Sequence, residues 1–114
     1  MKEAKIQSKI RNYLAQEGWM VQKQETSKNG FPDLMAIGVG EVIFIEVKAT
    51  GKKPRPLQVE VIKQINDREI HANWFDDFDK FRSWYHDNLE LNHNLKMLAA
   101  LSSRQAKADK YGRN

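Results

Sequence analysis

The stretch Asp33-Leu34-Met35-Ala36-Ile37-Gly38-Val39-Gly40-Glu41-Val42-Ile43-Phe44-Ile45-Glu46-Val47-Lys48 decides the fold. Two apolar runs flank the connector Gly38-Val39-Gly40, and so short a link joins strands only as an antiparallel hairpin. The second run, Val42 to Lys48, is rich in β-branched and aromatic residues. It is apolar on both faces until Glu46, the pattern of a central strand covered on each side. Strand residues two apart face the same way, so Glu46 and Lys48 project together while Val47 turns to the other side. If Ile37 pairs with Val42 and Met35 with Phe44, Asp33 falls directly opposite Glu46. Opposed side chains of that kind have Cβ atoms about 4.5–5.5 Å apart. A three-residue loop at Gly38-Val39-Gly40 would slip the register by one and turn Asp33 to the wrong face. The expectation is therefore a four-residue loop, or a bulge aided by Gly38 or Gly40.

Two carboxylates at that separation repel, and each costs free energy to bury. A divalent cation between Asp33 and Glu46 resolves both problems, and oxygen donors without His or Cys favour Mg²⁺ or Mn²⁺ over zinc. The Val47 backbone carbonyl is a further candidate ligand. Lys48, on the same face, is placed to orient an attacking water and to offset charge on a pentacovalent phosphate. A Glu–Lys pair at a strand end is by itself an ordinary surface ion pair. Here, however, Asp33 opens the neighbouring strand, and a basic loop with Lys52, Lys53 and Arg55 follows Lys48 at once.

Toward the N-terminus, Ile6, Ile10, Tyr13 and Leu14 mark one face of a helix from Glu3 to about Gln16, with Gly18 as its stop. Glu3 lies three residues before Ile6, on the side of the apolar stripe, although a helix dipole also favours an acid in the first turn. Trp19 to Glu25 reads as a strand, and Thr26-Ser27-Lys28-Asn29-Gly30 has turn composition. Toward the C-terminus, Ala49 to Pro56 is a loop, and Val61, Ile62 and Ile65 support a second helix from Leu57. A short strand over Ile70–Phe75 and a third helix capped near Asp76-Asp77 follow, with Phe78, Phe81 and Tyr85 as a core-facing stripe. Leu91, Leu95, Leu98 and Ala99, widened by Met97 and Leu101, predict a last helix that docks on its own core or on a second subunit. The chain is thus divided into a domain over residues 1–90 and a helical extension over 91–114 whose basic end is frayed.

At 114 residues and net charge +4, the chain is one mildly basic domain, suited to a polyanionic partner. The absence of cysteine excludes disulfides, thiolate zinc sites and a cysteine nucleophile. No apolar run approaches the ~20 residues of a membrane span, and Met1-Lys2-Glu3-Ala4-Lys5 does not lead into a signal-peptide core, so no membrane partner and a cytoplasmic location are expected. His71, His86 and His93 lack metal-ligand spacing, Asp76, Asp77 and Asp79 fit a helix start better than a metal cluster, and Gly38-x-Gly40 lacks the rest of a nucleotide-binding loop.

Glu3 on the first helix, Gly30-x-Pro32-Asp33, Ile45-Glu46-Val47-Lys48 and Gln58 together resemble the VRR-NUC (virus-type replication-repair nuclease) branch of the PD-(D/E)XK nuclease superfamily. The resemblance spans roughly residues 1–85 and implies a restriction-endonuclease-like α/β fold, an αβββαβ core with a mixed sheet flanked by helices. It implies that Asp33 and Glu46 bind the metal, that Lys48 positions the nucleophilic water, and that Glu3 reaches the site directly or through a water on the metal. By the same resemblance Gln58 would hydrogen-bond Lys48 or the water. The expected activity is Mg²⁺-dependent endonucleolytic cleavage of DNA, foremost of Holliday junctions by a homodimer, with Lys52, Lys53 and Arg55 on the phosphates. The alternatives are a flap, fork or nicking nuclease acting as a monomer, and a non-catalytic DNA-binding subunit that keeps the fold. The segment after about Leu89 has no counterpart in the resemblance.

Overall fold

The structure, a computed structural model, describes residues 1–25 and 29–110. The elements run α1 (Glu3–Gln16), β1 (Met20–Lys23), β2 (Leu34–Gly38), β3 (Glu41–Val47), α2 (Pro56–Asp67), β4 (His71–Phe75), α3 (Phe78–Tyr85), a π-helical stretch (His86–Glu90) and α4 (Leu91–Lys110). Residues 26–28 of the expected turn, and the expected frayed residues 111–114, lie outside the described residues.

The strands form one sheet in the order β1-β2-β3-β4, antiparallel except that β3 and β4 are parallel, as the helical crossover through α2 requires. This is a mixed sheet flanked by helices, the restriction-endonuclease-like α/β architecture. The register of β2 on β3 pairs Ile37 with Val42 and Met35 with Phe44. It arises from neither expected device. Gly38 still pairs with Glu41, and only Val39 and Gly40 form the loop. An even-numbered loop keeps the same faces aligned, and Gly40 takes the positive φ of 66° that so tight a turn needs.

Strand alternation then sorts the side chains. Leu34, Ala36, Ile43, Ile45 and Val47 join Ile6, Ile10 and Leu14 of α1 and Phe81 and Tyr85 of α3 in the main core. Phe44, Ala72 and Trp74 meet Ile62 and Ile65 of α2 in a second core on the opposite face. Glu46 belongs to the α2 face, so its carboxylate must find polar company there.

The helical run from Phe78 to Lys110 continues through the π-helical stretch into α4, which begins at Leu91. His93 holds α4 to the body. Its ring is fully buried and stacks on Trp19 at 4.3 Å, and its Nε2 lies 2.7 Å from the Glu17 carbonyl oxygen. A side chain at position 38 would crowd the ring, because a Cβ there would stand 3.2 Å from Nδ1 and 3.0 Å from the Trp19 ring. On α4, Leu91, Leu95, Leu98 and Leu101 are exposed, at 54–70% of their surface. Among the described residues no helix is long and apolar enough to cross a membrane.

Candidate active site

The site begins where β2 and β3 lie side by side. The Gln24 amide donates to the Asp33 carbonyl at 2.6 Å, which extends the β1–β2 ladder to Asp33. The Val47 amide donates to Asp33 Oδ2 at 3.1 Å, which ties the acid to the end of β3. Glu46, on the α2 face of β3, is 2% exposed. Burial, and after it the adjoining Asp33 carboxylate, push Glu46 up to about 7, against the opposing pull of Lys48. Lys48 follows two residues on with its Nζ 3.4 Å from Glu46 Oε2. Asp33, Glu46 and Lys48 therefore meet, as the pairing register requires.

Gln58 joins them from α2. As the third residue of the helix it accepts the Arg55 amide on Oε1 at 2.8 Å, a helix-start contact that fixes which end of the side-chain amide faces inward. Its Nε2 then donates to Glu46 Oε2 at 3.1 Å. The expected partners were Lys48 or a water; the amide reaches the acid instead, because Glu46 and not Lys48 points under the first turn of α2.

Glu3 is placed differently. It sits exposed in the first turn of α1, and among the described residues no third acidic or histidine side chain completes a metal-holding group with Asp33 and Glu46. The helix start itself is tied near the site. The Met1 amine donates to Thr50 Oγ1 and the Met1 carbonyl accepts from the Thr50 amide, each at 3.0 Å.

The donor set fits a hard divalent cation. Among the described residues Glu46 Oε1 is buried without a hydrogen-bond partner, which is costly beside a second carboxylate. The Lys48 amide is taken by the Phe75 carbonyl of β4 at 2.9 Å. In a trans peptide the carbonyl opposes the N–H, so the Val47 oxygen is directed away from β4, toward the strand that Asp33 leads.

The basic loop is anchored by a residue the sequence did not single out for this purpose. Asp76 accepts the Gly51 amide at 3.1 Å and the Lys80 ammonium at 3.1 Å, contacts that hold its carboxyl below the usual range, the Gly51 amide contributing most. The Asp76 carbonyl also accepts from Thr50 Oγ1. Lys52, Lys53 and Arg55 are thereby presented, exposed, on a fixed loop directly after Lys48. The only legible signal for Asp76 was its position at a helix start, where Asp77 supplies the cap by accepting the Lys80 amide at 3.1 Å.

A four-stranded mixed sheet with helices on both faces, carrying two acids and a lysine at the adjoining ends of its two central strands, defines a nuclease domain of the PD-(D/E)XK class. The family model described as archaeal Holliday junction resolvase (Hjc) matches residues 2–69, and the chain belongs to that family. Solved structures show the same fold. One titled "VRR_NUC domain" superposes with a TM-score of 0.67 at 22% identity, over 78% of this chain and 98% of its own. Another, titled "VRR_NUC domain protein", gives 0.64 at 19% identity over 80% and 90%. No curated protein matches.

Proposed function

We propose that this protein is a Mg²⁺-dependent endonuclease, with Mn²⁺ able to substitute, that hydrolyses phosphodiester bonds in branched DNA, foremost four-way junctions, in the cytoplasm as a symmetric homodimer. The observation that carries the reading is the meeting of Asp33, Glu46 and Lys48 around a buried Glu46 oxygen that has no hydrogen-bond partner among the described residues. A divalent cation held by Asp33, Glu46 and the Val47 carbonyl would supply a Lewis acid for the scissile phosphate and a more acidic water. The chain's own residues do the rest. Lys48 places its ammonium beside the reacting phosphate and offsets charge as it develops there. Gln58 keeps Glu46 in the orientation that faces Asp33. Lys52, Lys53 and Arg55 contact flanking phosphates, and Glu3, at the tethered start of α1, would reach the metal site directly or through a water.

Family membership supports the choice of junctions, and paired cuts in opposed strands call for two active sites related by symmetry. The exposed leucines of α4 are the surface assigned to the second copy, because Leu91, Leu95 and Leu98 repeat at a helical spacing that two helices can share.

The test incubates purified protein with four-way junctions, flaps and linear duplex, with Mg²⁺ or with chelator. Cleavage should require the metal, prefer the junction and fall at least ~10²-fold in Lys48→Ala and in Asp33→Asn, the scale of removing a positioned electrostatic group. Full activity in Lys48→Ala or in chelator overturns the mechanism. A preference for flaps by a monomer moves the assignment to the fork-cutting alternative, and binding without cleavage moves it to the non-catalytic one. In sedimentation, Leu95→Asp with Leu98→Asp should leave a folded monomer; a wild-type monomer would remove the dimer from the proposal.

A further inference from the structure

Phe31 stands two residues before Asp33 and keeps 49% of its surface exposed. It is not a free loop residue. Gly30 before it has a φ of 78° and lies so close to α2 that a Cβ would come within 2.9 Å of Leu57 Cγ and 3.0 Å of the Leu57 carbonyl oxygen, while Pro32 after it is buried. The segment is therefore pressed against the first turn of α2, and the ring is presented from a fixed backbone.

Phe31 forms one wall of a cavity of about 150 Å³, whose other walls are Val61, Gln64, Ile65 and Arg68. Val61 and Ile65 lie three and seven residues beyond Gln58, on the same side of α2, so the cavity opens along the helix from the Asp33–Glu46 group. A cavity of about this size holds a single aromatic ring in a protein interior. Its chemistry is apolar walls with two polar groups at the rim. Arg68 Nη1 donates to the Gln64 carbonyl at 2.9 Å, which sets the guanidinium at the mouth, and among the described residues no carboxylate pairs with it. Among the described residues no aromatic ring packs on Phe31 either.

We propose that this cavity receives a nucleobase drawn out of its pair at the branch point of the DNA substrate, stacked on Phe31 with Arg68 toward its phosphate, and so lets the protein recognise a branch. The inference rests on the nuclease reading above and names how that site selects its substrate. A base in continuous duplex is stacked on both faces and enters a side cavity only at the full cost of unstacking and unpairing. A base at a junction or flap leaves its stack at least cost, and an aromatic face with a cation at the rim replaces what it loses. The anionic backbone beside that base matches the guanidinium, with which no described carboxylate pairs.

The test uses a four-way junction with 2-aminopurine at the branch point, bound in chelator so that no strand is cut. Saturating wild-type protein should raise the fluorescence severalfold as the base unstacks. Phe31→Ala should abolish the rise and weaken junction binding about 5- to 100-fold, the scale of one base–aromatic stack, with linear duplex binding unchanged. Phe31→Trp should restore both. An unchanged signal at saturation, or Phe31→Ala binding the junction like wild type, overturns the proposal. A change in oligomeric state in Phe31→Ala overturns it too, because the patch would then be a contact between copies. Cleavage in Mg²⁺ is scored separately. A fluorescence rise without cleavage leaves the cavity assignment standing and defeats the nuclease reading, and cleavage without the rise does the reverse.

Discussion

Gln58 Nε2 donates to Glu46 Oε2 at 3.1 Å while the Arg55 amide holds the other end of the same side chain. One residue thus serves both as a helix-start contact and as the orienter of a buried acid. Gln58→Leu should lower cleavage about 10- to 100-fold, the usual cost of losing a group that positions a metal ligand. It should also cost roughly 0.5–2 kcal/mol of stability through the lost helix-start contact. Gln58→Glu keeps an acceptor for the Arg55 amide but sets a third carboxylate against Glu46, so it should melt nearer to wild type at acid pH yet cleave as poorly as Gln58→Leu. Single-turnover cleavage and thermal melting, measured side by side, separate the two contributions.

Glu46 is pushed up to about 7, first by burial and then by Asp33, which makes metal-free stability depend on pH. Below about pH 4.5 the group is protonated whether folded or unfolded and contributes no difference. Between about 4.5 and 7 the unfolded chain ionises while the folded one holds its proton, so stability falls as pH rises, by roughly 1–3 kcal/mol in all. Thermal melts in chelator across this window should show the decline, and Glu46→Gln should remove it. Mg²⁺ should restore stability most strongly above pH 7, where the acid is already ionised. A flat wild-type profile would refute the burial argument.

The loop cations should act without regard to sequence. Replacing Lys52, Lys53 and Arg55 together by Ala should weaken binding to junction and duplex alike, and should reduce the slope of log K against log salt by about 2–3 units. Because all three side chains are exposed, the melting temperature should hold. An unchanged salt slope would place the phosphates elsewhere on the protein.

His93 fastens α4 through a buried polar contact. A carbonyl only accepts, so Nε2 carries the proton given to Glu17, and Nδ1 lies 3.5 Å from Glu41 Oε2, with neither of those two atoms hydrogen-bonded among the described residues. His93→Ala leaves a cavity beside Trp19 and takes the donor from the Glu17 carbonyl, and should cost roughly 2–4 kcal/mol, read as a drop of about 10 °C or more in melting temperature. Hydrogen exchange should localise the loss to α4.

Much of the fold was legible because the two strand periods and the helical stripes are strong. Ile6, Ile10 and Leu14 announced α1, and Ile43, Ile45 and Val47 a doubly covered strand. The Asp33–Glu46 pairing was legible as a register, but its cause was not. Local composition offered a three-residue connector, whereas pairing of Gly38 with Glu41 shortens the loop to two residues and settles the parity. The target of Gln58 was misjudged because a helix N-terminus can be aimed at any of several strand-end groups until the helix is docked. Phe31 gave no periodic signal at all, since one exposed ring ahead of a proline resembles an ordinary loop residue.

Chemistry-bearing residue types, their spacing along two strands and the apolar faces are local properties, fixed by strand and helix geometry, and these the chain states by itself. Which buried oxygen lacks a partner, which amide end faces Glu46, how Asp76 grips the basic loop and where Phe31 meets α2 are distances between segments far apart in sequence. They were decided only when the sheet and helices closed on one another, because desolvation and hydrogen-bond geometry act across space and leave no mark on any single stretch of chain.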